Sequence, residues 1–225
     1  MEDGQDRYYI VKPKRFSKIE IRDILVSVLV LSIAFLIMFR NNEFVTGFFK
    51  HYLGDLWFLG MLAMMSAIVV LSFLLHELGH KFTAQNMGLW SEYRMFPVGL
   101  IVTLVFSAIG FLFAAPGVVY ISGFVTQEQD GKISLAGPAV NIVLSIIGLI
   151  GCIALNGIPI VVVFYLLFSL NAALALFNLL PIGILDGSKI MRWNNSVWLV
   201  AIIIAGLLFF SRFLGLLSDL YYTLG

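Results

Sequence analysis

Long uncharged, apolar stretches run over residues 24–39, 56–75, 97–127, 133–185 and 196–211, and no other feature of the chain restricts its possible folds as much. A helix needs about 20 mostly apolar residues to cross a bilayer, so the chain reads as an all-α polytopic membrane protein with about five or six transmembrane helices. Composition agrees: 60% of residues are hydrophobic and 12% are charged, the latter about half the share carried by a soluble domain. A net charge of +1 leaves no basic face to neutralise phosphates, which argues against nucleic acid as a partner. Cys152 is the only cysteine and cannot form an internal disulfide.

Arg7, Lys12, Lys14, Arg15, Lys18 and Arg22 come before the first apolar run, and no small-residue cleavage site follows it. Residues 1–22 therefore read as a cytoplasmic tail, and the run itself as a retained span rather than a signal peptide. Residues 23–55 then hold this span and a short outer loop, 56–192 a membrane-embedded core, and 193–225 a last span. Lys81, Arg94, Lys132, Lys189 and Arg192 all fall inside in this topology, as the positive-inside rule requires. Within the core, two apolar segments meet at "NGIP", residues 156–159, and read as an antiparallel helical hairpin.

Residues 96–124 break the parity. They begin and end on the same side, yet two complete spans would need about 40 residues. A re-entrant or β-hairpin segment between the two core helices resolves this. Gly110, Pro116, Gly117 and Gly123 supply breakers, and "GVVYISGFV" has the β-branched and aromatic content of a strand.

Against this background "LSFLLHELGHKFTAQN", residues 71–86, puts ionisable groups at the end of an apolar run, where charge is costly. Residues four apart share a helix face, so His76 and His80 can aim two imidazole nitrogens at one point, with Glu77 beside them. Two imidazoles plus a third protein ligand leave one tetrahedral zinc position open, which is the arrangement of a catalytic site. An adjacent carboxylate can then take a proton from water and pass it to a leaving amine. The competing reading is a capped helix end facing headgroups and binding nothing. His51, in the outer loop beside Lys50 and Tyr52, reads as a solvated surface residue.

Asp186, in "FNLLPIGILDGSKIM", is the best third ligand. The topology brings it to the cytoplasmic end of its helix, level with the histidines, and Pro181 and Gly183 interrupt the helix just before it. Spacing alone serves equally well for a solvated residue capping the next segment. Glu92 is too close to the motif, and Glu128 has no suitable helical setting.

"HELGH", together with Asn178, Pro181, Asp186 and Gly187 in "NLLPIGILDG" and with Gly137, Pro138 and Asn141 in "LAGPAVN", resembles the site-2 protease family of intramembrane zinc metalloproteases. The resemblance covers about residues 56–191. It implies that His76, His80 and Asp186 bind one Zn2+ and that Glu77 is the catalytic carboxylate. The implied substrates are transmembrane segments of other proteins, and the implied setting is a multi-pass protein of a prokaryotic cell membrane. Resemblance also places Asn178 beside the substrate, as a substrate or oxyanion contact, with Asn141 a weaker candidate for the same role; both could instead bond neighbouring helices. The form is compact: there is no room between Lys81 and Ile133 for a PDZ domain, and no cystathionine-synthase-type domain follows. Restraint on activity is thus expected to be intrinsic or to come from a membrane partner. The flanking spans, 23–39 and 196–218, lie outside the family core and could form a lateral gate. Two rival readings stay open: another multi-span HExxH membrane protease, and a zinc transporter or metal-binding membrane protein. The first would use a glutamate as third ligand, and the second would need further intramembrane ligands along a path.

Overall fold

The computed structural model describes residues 16–110 and 116–211. Arg7, Lys12, Lys14 and Arg15 of the expected tail, and the end of the expected last span, lie outside them. Among the described residues four helical segments are long and apolar enough to cross a membrane: Lys18–Phe39, Val45–Asn86, Gln127–Ala154 and Val161–Asn178. The chain is thus a mostly helical membrane protein.

Helix α1 (Lys18–Phe39) starts where Ser17 accepts the Glu20 N–H as N-cap, which satisfies one of the free donors of the first turn. The helix therefore begins within the stretch read as tail. The expected outer loop contains α2 (Glu43–Leu53), and Gly54, at φ 51°, turns the chain into α3 (Trp57–Val69). A π-helical turn at Val70–Leu74 joins α3 to α4 (Leu75–Asn86), which carries the HELGH motif.

The parity-breaking segment resolves into mixed structure. Strand β1 (Trp90–Met95) precedes it, the short helix α5 (Pro97–Ala108) begins it, and β2 (Gly117–Ser122) pairs antiparallel with β1 in the register Glu92 to Tyr120 and Arg94 to Val118. Strand content in "GVVYIS" was readable from composition; its partner β1 was not. At about 1.5 Å per residue, the 12 residues of α5 fall well short of a bilayer core about 30 Å thick.

Helices α6 (Gln127–Ala154) and α7 (Val161–Asn178) form the expected hairpin, with Gly157 at φ 80° in the turn. They approach closely: a Cβ added at Gly148 would lie 2.5 Å from the Phe168 backbone nitrogen, so a side chain there would push the helices apart. The short helix α8 (Asp186–Trp193) and the 17-residue α9 (Asn195–Ser211) complete the described chain. Two apolar clusters support the centre. One joins α1, α2, α3 and the sheet through Leu31, Phe35, Phe49, Met65, Tyr93 and Val119; another joins α7, α8 and α9 through Ala175, Leu179, Ile190 and Ala205.

Candidate active site

Four elements converge on α4. His76 and His80 are buried on the face turned toward α6, and their Nε2 atoms lie 3.0 Å apart. From the break after α7, Asp186 brings Oδ2 to 3.5 Å from His76 Nε2 and 3.3 Å from His80 Nε2. The chain is held in that break by Trp198 Nε1, which donates to the Leu179 carbonyl at 2.8 Å. Ser188 Oγ donates to the Gly183 and Leu185 carbonyls at 2.9 and 2.8 Å. Asp186 opens α8, where the positive end of the helix dipole favours a carboxylate.

The outer ring nitrogens are fixed. His80 Nδ1 donates to the Ile133 carbonyl of α6 at 2.7 Å. His76 Nδ1 donates to Asn141 Oδ1 at 2.5 Å. With both Nδ1 atoms protonated, both Nε2 atoms present lone pairs to each other and to the Asp186 carboxylate. Three electron-pair donors at that separation repel one another unless a cation lies between them. Zinc bonds of about 2.0–2.1 Å in a tetrahedron put ligand atoms about 3.3 Å apart, and the three distances of 3.0, 3.3 and 3.5 Å match that edge. Gly137 keeps the space clear: a Cβ added there would lie 2.6 Å from His76 Nε2 and closer still to His80. The residues fit a zinc ion.

Asn141 and Asn171 are fully buried between α4, α6 and α7. Asn141 Nδ2 donates to the Ser72 carbonyl and to Asn171 Oδ1, both at 2.8 Å, and Asn171 Nδ2 donates to Ser72 Oγ at 2.9 Å and to the Leu167 carbonyl at 2.8 Å. Both N–H groups of Asn141 are therefore committed. The Ser72 carbonyl belongs to the π-helical turn, a distortion that often accompanies functional sites. Ser72 carries no motif signal; a polar residue on the apolar run, one turn before His76, is the only hint the sequence gives. Asn178 is half-buried and donates from Nδ2 to its own helix, at the Leu174 carbonyl, 3.0 Å away.

The buried Glu77 faces a cavity of about 940 Å³, bounded by the histidines, Asp186, Asn178 and β2. Lys189, one turn after Asp186, also lines it; in the sequence this lysine served only as one of the inner-side charges.

No family model matches the chain, and no solved structure matches it. Three relatives share the printed name "Putative zinc metalloprotease". MJ0611 of Methanocaldococcus jannaschii is 34% identical over 189 residues, covering 83% of this chain and 90% of that protein. Rip2 of Mycolicibacterium smegmatis is 32% identical over 149 residues, with 58% of this chain and 56% of the relative covered. YwhC of Bacillus subtilis is 30% identical over 146 residues, with 55% and 65% covered. The match to MJ0611 thus extends over nearly its whole length, whereas less than two thirds of the other two are spanned. With a zinc-fitting donor set and this extent of similarity, the chain belongs to the zinc metalloprotease family that includes MJ0611.

Proposed function

We propose that this protein is an intramembrane zinc metalloprotease of the site-2 type, cutting peptide bonds within or near transmembrane segments of other membrane proteins. One observation carries the reading: His76, His80 and Asp186 converge beside Glu77 in a cavity formed between helices of membrane-spanning length. Zinc bound by these three residues would supply Lewis-acid chemistry that makes water nucleophilic near neutral pH. Glu77 takes the proton from the attacking water and returns it to the nitrogen of the leaving amine. Asn178 has two amide N–H donors; one goes to Leu174, and the other serves the carbonyl oxygen of the scissile bond as charge develops on it. Asn141, with its donors committed, orients His76 instead of meeting the substrate, a different role from the substrate contact expected of it. In this reading the amino terminus is cytoplasmic and the site lies nearer the cytoplasmic face.

A transmembrane helix satisfies its own backbone groups, so cleavage requires unwinding and new partners for the freed N–H and C=O groups. Strand β2 offers them. Phe96 N donates to the Pro116 carbonyl at 2.8 Å, and with the register above this makes Glu92–Tyr120 and Arg94–Val118 the hydrogen-bonded pairs. The backbone groups of Gly117, Val119 and Ile121 then point away from β1. Residues 117–121 also line the cavity, so an extended substrate can add as a further strand.

The test is Glu77→Gln with a single-span reporter protein in liposomes. The variant is expected to keep zinc and lose cleavage. Cleavage that survives in the variant, or a wild-type protein that retains zinc and cuts no spanning reporter, would overturn the proposal.

A further inference from the structure

The sequence leaves α1 outside the catalytic core, as one half of a possible gate. Its contacts contradict that role. Glu20, in the first turn of α1, and Lys81, next to His80, are both fully buried, and Lys81 Nζ donates to the two Glu20 oxygens at 2.6 and 2.5 Å. The same carboxylate accepts the Tyr93 backbone N–H at 2.9 Å, and Asp23 accepts that of Met95 at 3.4 Å. Ser27 and Tyr93 share a hydrogen bond of 2.8 Å between their hydroxyls, and Ser17 Oγ donates to Glu92. The register places the Tyr93 and Met95 N–H groups on the edge of β1 that faces away from β2. Two carboxylates of α1 therefore stand where a third strand would pair.

The opposite edge differs. The outward groups of Gly117, Val119 and Ile121 have no partner among the described residues, and they border the cavity that Ile182 and Ile184, 62% and 92% exposed, also line. Moving α1 away would separate a buried ion pair and strand two backbone donors, which low-dielectric surroundings penalise heavily. Displacing the exposed side chains of Ile182 and Ile184 breaks no such pairing.

We propose that α1 is a fixed wall of the active site and not a gate: Glu20 and Asp23 are positioning residues that close the β1 edge and tie the sheet to the HELGH helix through Lys81. An extended segment is admitted only between β2 and residues 180–185. The identity of that segment as substrate rests on the protease reading; the fixed wall does not.

The experiment has two arms, both in a Cys152→Ser background. In the first, Ser27→Cys is labelled with a membrane-permeant maleimide, with Ile184→Cys as the exposed reference. Labelling at position 27 is expected to be at least about 100-fold slower, as for a site opened only by local unfolding, and Glu20→Ala should accelerate it. In the second, Ser17→Cys with Glu92→Cys is joined by a short bifunctional thiol reagent, and turnover of the single-span reporter should stay within about twofold, because the tie forbids a motion that catalysis does not use. The fragments supply a further readout. Asp23→Ala uncovers an edge at a different distance from the metal ligands, so an additional cut position should appear by mass spectrometry, whereas Asp23→Asn, which keeps the acceptor, should retain the single cut. Rapid labelling at position 27, turnover lost only on cross-linking, or unchanged cut positions in Asp23→Ala would overturn the proposal. If neither wild-type protein nor the unjoined pair cuts the reporter, the protease reading fails, and the labelling rates alone decide whether α1 is fixed.

Discussion

His80 and Lys81 are neighbours in the chain, yet α4 turns their side chains into two buried clusters of opposite character. Around Lys81 the charges cancel: one ammonium meets both oxygens of one carboxylate, and one of those oxygens also accepts the Tyr93 backbone N–H of β1. Around His80 they do not cancel, because two imidazole nitrogens and a carboxylate oxygen face one another with no donor between them. The closed cluster satisfies itself and holds elements together. The open one is incomplete without a cation, and it borders the cavity. Burial of polar groups at membrane depth is costly in both places, and a single helix meets that cost in two different ways.

Breaking the open cluster should have the larger effect on activity. His76→Ala or Asp186→Ala should abolish zinc retention and bring cleavage to background, measured by metal analysis and reporter turnover. Glu77→Gln should leave the metal in place and lower turnover about 10²–10⁴-fold, the usual worth of a positioned general base. Breaking the closed cluster should act on the fold: Lys81→Met strands the Glu20 charge and should cost about 3–5 kcal/mol in a denaturation assay, while Lys81→Met with Glu20→Gln should recover much of it. Asn141→Ala removes the acceptor that orients His76 and should weaken zinc binding about 10–100-fold, seen by chelator competition. The smallest effect is expected from Val119→Pro, which deletes one outward N–H without touching the bonds to β1; turnover should drop about tenfold, the worth of one hydrogen bond, with zinc affinity unchanged.

The two clusters also differ in how far they could be read from sequence. His76, Glu77 and His80 sit within one helical turn, where spacing alone fixes a shared face, and Asp186 follows a helix break marked by Pro181 and Gly183. Local rules therefore carried most of the open cluster. Glu20 and Lys81 are 61 residues apart, and each is an ordinary charge in its local context. The same holds for β1, whose Trp90–Met95 segment contains Ser91, Glu92 and Arg94. Those residues weaken any strand signal, and pairing with β2 supplies what propensity lacks. Asn141 was legible as a buried polar residue on an apolar helix, but not as the partner of His76, because that bond depends on how α6 packs against α4. The π-helical turn at Val70–Leu74 left no trace in its apolar sequence.

The central claim is that His76, His80 and Asp186 hold one catalytic zinc. Zinc X-ray absorption of the purified protein tests it most directly, read together with metal content. The expected result is one zinc per chain with nitrogen and oxygen neighbours at about 2.0–2.2 Å, two of them imidazole, and loss of that signal in His80→Ala. A protein that retains no zinc, or a zinc signal unchanged by His80→Ala, would contradict the account.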